Sequence, residues 1–526
     1  MRWYWLAFGC LVAVLIGNAW VSDDALITLR YALNTSHGFG AVFEWGERVQ
    51  GYTHPLWFLI LTGMAAIHGP LALYAQLLLG PFLVGISAIV WRRMYPQSGA
   101  LPWCVLALCL SNGFVDFASS GLEGGLAVFL GTCLWRARRN ASYVQLALLG
   151  ALLCLTRTDY VLLVLPLCVS AGTNATDSRF RPWHGLVFLA PLLVWHVGAF
   201  IYYGDPLPNT YYAKTSTLIP RAELISQGLA YLGSHVAYDA GSLWAVVAGL
   251  SLTVVRCSVV PVGLAAGLWL YVGYTVWIGG DFMIGRFLQL PVLWSLLLGL
   301  EYERTQESSF SATALVRRLV GRHGGRVFAL VLLSTVLWSA KAFHYGYGLF
   351  GEPRFVVSNV GVLDERSYYA NRGLGLGALA VDKSKMSGLV LASSDWDAVV
   401  HTAGTAERPV LSICGTLGWR GILQANARLV DACGLTDALV GRVKFAPTSG
   451  VAWRMGHFNR KSQPEIAQYF EVLKGARPGF DDPELQLLYT DIQMMTRADI
   501  MAPGRFQIIV TRFLAQFFGI ELTPEE

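Results

Sequence analysis

Apolar runs of about 15–22 residues recur along the first two thirds of the chain, separated by short polar stretches. They fall at about 3–20, 71–91, 101–118, 122–135, 143–156, 160–173, 185–203, 242–256, 259–278, 287–300 and 327–341. A helix needs roughly 20 apolar residues to cross the hydrocarbon core of a bilayer, so the pattern predicts a polytopic α-helical membrane region. Basic residues orient it. Arg2, Arg92-Arg93, Arg136 with Arg138-Arg139, Arg179 with Arg181, Arg256, and Arg304 with Arg317-Arg318 alternate with about 11 spans, which puts all of them on the cytoplasmic side. The N-terminus is then inside and the C-terminus outside. The run 55–68 is too short to be a span, and counting it would put Arg92-Arg93 outside. It reads as a re-entrant or interfacial helix.

On this topology every polar, aromatic-rich loop faces outward. The first, VSDDALITLRYALNTSHGFGAVFEWGERVQGYTHPLW (21–57), opens with two adjacent carboxylates where the first apolar run ends. The others carry SSGLEGG, TRTDY, GDPLPNTYYAKTS and GGDFMIGRF. Past Lys341 the pattern changes: short apolar runs alternate with amphipathic stretches such as PEIAQYFEVLKG and FQIIVTRFLAQFFG. The expected organisation is a transmembrane domain over 1–341 and an extracytoplasmic α/β or α+β domain over 342–526.

Composition agrees with this division. The chain of 526 residues is 54% hydrophobic and 14% charged, against roughly a quarter charged for a soluble domain. The net charge of +5 is modest, and the basic residues of the first 341 positions cluster in short loops. That distribution fits membrane topology and argues against nucleic acid as a partner. Cys10, Cys104, Cys109, Cys133, Cys154 and Cys168 lie in apolar runs and Cys257 ends one, whereas Cys414 and Cys433 lie in the polar C-terminal part. In an exported domain those two can pair or stay as thiols.

The chemistry concentrates on the outward side. Asp23 and Asp24 are costly to hold at a membrane rim unless a substrate, a cation or water uses them. One can serve as general base toward an acceptor hydroxyl while the other holds the acceptor or a divalent cation. Arginines, a lysine and aromatics nearby suit a lipid-linked phosphate whose tail stays in the bilayer. Several candidates have a structural reading beside the functional one. Arg157 and Asp159 make a plausible bundle ion pair, Lys214 a snorkelling lysine, Glu123 a helix cap, His54 a satisfied loop histidine, and Tyr211 and Tyr212 interfacial belt residues. No zinc-type Cys/His spacing occurs,. A lipid-linked-sugar transporter is the alternative from another class, but it calls for ionisable groups near mid-membrane and inverted repeats, which this pattern lacks.

The strings DDALITLRYA, GFGAVFEWGERVQGYTHPLW, SSGLEGG, LTRTDY, YYGDPLPNTYYAKTS and GGDFMIGRF, in this order, resemble the membrane arabinofuranosyltransferases of the GT-C class. The mycobacterial terminal β-(1→2)-arabinofuranosyltransferase type is the nearest in pattern. The likeness runs over roughly 20–300 and more faintly through VDACGLTDA and MGHFNRK, and it departs at His54 and Thr158. The resemblance implies a GT-C fold and transfer of an arabinofuranosyl residue from a polyprenyl-phosphate donor to a cell-envelope glycan acceptor on the outer face of the cytoplasmic membrane. Another lipid-linked sugar such as mannose, or a protein acceptor, is the runner-up. Asp23 and Asp24 match the family's catalytic motif. Asn209, Tyr211, Tyr212 and Lys214, together with Arg157 and Arg286, are expected at the donor phosphate. Arg30, His54, Glu123 and Asp281 are expected at the substrate.

Overall fold

The computed structural model describes residues 2–173, 181–255, 261–305, 361–376, 383–404, 408–447, 453–518, 520 and 522. The expected span 327–341, the boundary at 341/342, and Arg179, Arg256, Cys257 and Arg317-Arg318 lie outside the described residues. The described chain is mostly helical. Helices occupy the apolar runs, among them Arg2–Gly17, Gly124–Arg139, Tyr143–Thr156, Val161–Thr173, Val262–Trp277 and Gln289–Thr305. Two, Gly69–Met94 and Trp183–Tyr203, are long and apolar enough to cross a membrane, and up to four spans result if each bent helix pair is counted as one. One bent pair is Leu101–Leu110 with Asn112–Ala118, which turns by 81°. Its corner is Ser111, whose extended backbone ends the first helix and whose hydroxyl accepts the Phe114 N–H to start the second,. The run 55–68 forms the helix Pro55–Ile67, started by a proline at its first position,.

The chain divides into two compact units. The first takes the described residues within Met1–Ser22, Tyr74–Leu189 and Arg221–Met386. Its helices are joined by buried polar links. The Tyr4 hydroxyl donates to the Ala88 carbonyl, and the Trp91 and Trp135 indoles donate to Thr132 Oγ1 and Tyr95 Oη at 3.1 and 3.0 Å. Aromatic N–H and O–H groups inside a bundle need such partners, so these links fix which helix faces meet.

The second unit takes the described residues within Asp23–Leu73, Ala190–Pro220 and Ser387–Glu526. Here the acidic-pair helix Asp23–Ser36 packs on Pro55–Ile67 and on the short helix Leu417–Leu423. That short helix connects two parallel strands, Val410–Ile413 and Arg428–Asp431, paired in register from Val410↔Arg428 to Ile413↔Asp431. The loop 37–54 is interleaved with the C-terminal segments: Ile27, Phe43, Tyr52, Leu417 and Leu429 share one core, and Val49, Val430, Leu439, Ile466 and Ile492 another. Cys414 and Cys433 are joined by a disulfide. Buried arginines tie the pieces together. Arg460 gives its guanidinium to the carbonyls of Ala213, Ser216, Cys433, Val443 and Phe458. Spending every donor on carbonyls is what makes burying such a cation affordable.

Candidate functional site

The acidic pair occupies the first turn of the helix Asp23–Ser36, where backbone N–H groups and the helix dipole favour negative charge,. Asp23 is buried, and its Oδ1 accepts the Trp419 N–H at 2.9 Å. The donor belongs to the first turn of the helix Leu417–Leu423, entered through Gly415 and Thr416, both in the left-handed region. The amides of Leu417 and Gly418 also favour the Asp23 anion, but burial outweighs them and the neighbouring Asp24 charge adds to it, raising the Asp23 carboxyl to about 7,. The approach of the two helices is so close that a Cβ on Gly418 would stand 2.1 Å from the Asp23 carbonyl oxygen. Only glycine fits there.

Asp24 is partly exposed. Its main-chain carbonyl accepts from Thr28 Oγ1 at 3.1 Å, and Thr28 Oγ1 is 2.7 Å from Nε2 of the buried His54. The charge of Asp24 is felt at His457, together with those of Arg454 and Lys214. His457 and Arg454 flank a tight turn, with the His457 N–H on the Arg454 carbonyl at 3.0 Å. Burial first, then the two cations, depress the His457 imidazole to about 4, so it is neutral at physiological pH,. Lys214 sits in the last turn of the helix Asn209–Thr215. Arg460 holds the carbonyls at the end of that helix, and the bridge between Thr217 and Phe445 continues the attachment.

Other expected site residues of this unit are occupied with internal contacts. Arg30 is fully buried and donates to the Phe43 and Gly421 carbonyls and to Glu44, at 2.7, 2.6 and 3.0 Å. Asn209 Nδ2 donates to Gly434 and Asp437 carbonyls at 2.7 and 2.9 Å, and its Oδ1 accepts from Arg442 at 3.1 Å. Tyr212 is buried under the Arg442 guanidinium, 4.5 Å from its ring centre. Tyr211 is exposed, edge-on to Tyr212.

The remaining candidates form a cluster in the other unit. Arg157 forks onto Asp159 at 3.0 and 2.7 Å, and the Tyr271 hydroxyl donates to the same carboxylate at 3.1 Å. Glu123 Oε1 lies 3.4 Å from both Arg157 Nη1 and Arg286 Nη2. Arg286 also reaches Met283 Sδ at 3.4 Å. The Gly-rich turn that carries Arg286 is set by Gly285, at φ +94°, where a Cβ would meet the Gly113 backbone at 2.4 Å. Asp281 is buried, and its Oδ1 accepts its neighbour's N–H from Phe282 at 2.8 Å.

Sequence reasoning did not single out Arg454, His457 or the amides of 417–419. MGHFNRK includes His457 as part of the resemblance, whereas Arg454 stands just before it and backbone amides carry no side-chain signal. Among the described residues no group of three or more His, Cys, Asp or Glu side chains converges on a metal position. Asp23 Oδ1 is taken by an N–H donor, so a divalent cation on the pair would be held by the other Asp23 oxygen and by Asp24,.

This arrangement, a near-neutral carboxyl on the first turn of a helix and a buried His457 that feels its neighbour Asp24 together with two cations, suits proton removal next to an anionic leaving group. Comparison with known proteins agrees in class. The chain is 27% identical over 421 residues to the terminal beta-(1->2)-arabinofuranosyltransferase of Mycobacterium tuberculosis, covering 68% of the chain and 64% of that protein. It is 26% identical over 407 residues to the protein of the same name from Corynebacterium glutamicum, covering 66% and 55%. The chain thus spans less than two thirds of the length of either relative. No protein-family profile and no solved structure matches it. The chain is a relative of glycosyltransferases. Both relatives are named as arabinofuranosyltransferases.

Proposed function

We propose that the chain is a GT-C membrane glycosyltransferase that moves an arabinofuranosyl residue from a polyprenyl-phosphate donor to a cell-envelope glycan. The reading includes about eleven spans, an N-terminus inside, and an extracytoplasmic region over 342–526 in the cytoplasmic membrane. The Cys414–Cys433 disulfide supports export of that region, because such bonds persist in oxidising compartments,. The names of the two relatives support the sugar and the reaction class.

The mechanism is a single displacement. Asp23, oriented by the amides of 417–419, takes the proton of the acceptor hydroxyl; the oxygen bonds to C1 of the sugar. The C1–O bond to phosphate breaks with its electron pair, and polyprenyl phosphate leaves while C1 inverts. Lys214 and Arg454 stabilise the departing phosphate, and Asp24 holds those cations in place until it arrives. Arg30 and Asn209 position the framework, and Tyr211 offers its exposed ring to sugar.

The observation that carries this reading is the Asp23 carboxyl poised at about 7 on the amides of a helix start. A general base works as its carboxylate, so transfer falls as pH drops below about 7. The test compares wild type with Asp23→Asn and Asp24→Asn in membranes given radiolabelled polyprenyl-phosphate arabinofuranose and envelope glycan. Asp23→Asn is expected to cut transfer by roughly 10²–10⁴-fold with donor binding kept, and Asp24→Asn to act mainly through donor affinity. Full transfer by both variants in a wild type that binds the donor makes the pair structural and overturns the mechanism.

A further inference from the structure

The C-terminal helix Arg505–Phe518 is amphipathic, and its apolar face is turned away from the body of its unit. Phe506, Val510, Phe513 and Phe517 recur at spacings of four, three and four, which stacks them on one side of a helix,. Three of these are large rings at 61%, 38% and 72% exposure, and Leu514 and Phe518 extend the surface. Ile509 and Ala515 face inward instead, and Arg512 is paired with Asp491. The sequence of this helix holds no acidic residue. A soluble surface rarely exposes a row of phenylalanines without a partner to cover them.

The neighbours of the helix say what the partner is. Phe200, in the last turn of the apolar helix Trp183–Tyr203, stands edge-on to Phe506 and Phe513, with ring centres 6.3 and 5.5 Å apart. The Arg505 guanidinium donates to the carbonyls of Ile201 and Tyr202 at 2.8 and 3.0 Å, satisfying the end of that same helix,. Among the described residues Trp183–Tyr203 is one of two helices with the length and hydropathy of a membrane span, and little of it is buried, with Leu193, Val194, Val197 and Ile201 exposed. Its apolar surface therefore continues, through Phe200, into the phenylalanine stripe. Tyr202 and Tyr203 mark where the span ends, as aromatic belts do.

We propose that Arg505–Phe518 is an interfacial membrane helix, seated by its Phe506–Phe517 face in the lipid leaflet at the Tyr203 end of the Trp183–Tyr203 helix. The region after 387 is then held at the bilayer surface by its own anchor. The seat also bears on the loop of the acidic-pair helix. Arg48, from that loop, donates to the Tyr202 carbonyl at 3.0 Å and to Ala498, beside the start of the C-terminal helix. The loop, the span end and the anchor thus meet at one joint, which sets the loop's height against the headgroups. The anchor itself does not depend on the proposed transferase activity, so the two stand or fall separately.

The test uses the whole chain in lipid nanodiscs of phosphatidylcholine and phosphatidylglycerol, labelled with a lipid-soluble carbene precursor and read by peptide mass spectrometry. Carbene insertion is expected at Phe506, Val510, Phe513 and Phe517, at a level near that of Leu193–Ile201. The exposed side of the neighbouring helix Pro483–Arg497 is expected to stay unlabelled. A Phe513→Gln/Phe517→Gln variant should lose most of the label on 505–518 while keeping that on 193–201. Silence of 505–518 beside a labelled 193–201 overturns the proposal. So does a stripe protected from lipid whose position 513 cross-links to a second copy of the chain.

Discussion

Two charged clusters invite comparison: the acidic pair with its cations in one unit, and the Arg157 cluster in the other. In the first, backbone amides favour the Asp23 anion, and His457 feels Asp24 together with the cations Arg454 and Lys214. In the second, two arginines and two carboxylates pair within the cluster, Arg157 with Asp159 and both arginines with Glu123. Amide donors orient an anion without neutralising it by a counter-charge, so the carboxyl keeps its capacity to exchange a proton. Matched side-chain charges consume each other. The contrast suggests that proton chemistry belongs to the first cluster and that the second holds the bundle together. Arg286 meets Glu123 and Met283 at 3.4 Å each, longer than the fork of Arg157 on Asp159, so it braces the cluster less tightly.

The largest effect should come from breaking the matched cluster. Arg157→Ala leaves Asp159 and Glu123 buried without their shared cation, a loss of about 3–5 kcal/mol for such a buried pair. Thermal unfolding in detergent should show a markedly destabilised protein. Arg286→Ala, whose ion pair with Glu123 is longer than the Arg157–Asp159 fork, should lose less stability. Equal stability losses in both variants would remove the distinction. Next in size is Gly418→Ala, whose methyl meets the Asp23 carbonyl at 2.1 Å and must push the Leu417–Leu423 helix off the carboxylate. Misplacement of about 1 Å costs on the order of 10²-fold in rate, so transfer assays should show a lower kcat with donor KM kept. Unchanged kcat would mean that the amides of 417–419 do not orient the base.

Much of this contrast was legible in the sequence, and the parts that were not share a cause. Asp23-Asp24 at the end of an apolar run, and Arg157 and Arg286 in turns between apolar runs, stood out because charge beside apolar sequence is costly,. The possible pairing of Cys414 with Cys433 followed from their position in the polar part, and the structure joins them. Arg30 and Asn209 carried the same polar signal as true ligands, yet their donors go to carbonyls at Phe43, Gly421, Gly434 and Asp437. Composition does not distinguish a side chain that binds a substrate from one that satisfies backbone. The long-range contacts were invisible for a different reason. Residues 417–419 reach Asp23 across nearly four hundred positions, through main-chain amides and a glycine. Likewise, FQIIVTRFLAQFFG reads as an ordinary amphipathic helix until Phe200 and the Arg505 contacts show which surface it continues.

The smallest expected effect sharpens the comparison through pH. The His457 imidazole is held neutral in the fold, depressed to about 4 by burial and by Arg454 and Lys214, whereas an unfolded histidine titrates near 6.5. Between those values the unfolded chain binds more protons than the folded one, so this residue's contribution to stability is present above about 6.5 and is lost as pH falls toward 4. His457→Gln removes the titration. The variant should therefore lose less thermal stability than wild type between pH 6.5 and 4, with the two curves keeping a constant offset above 6.5. The opposite sign would mean that the imidazole is protonated in the fold, so that the cations Arg454 and Lys214 would be joined by a third positive charge.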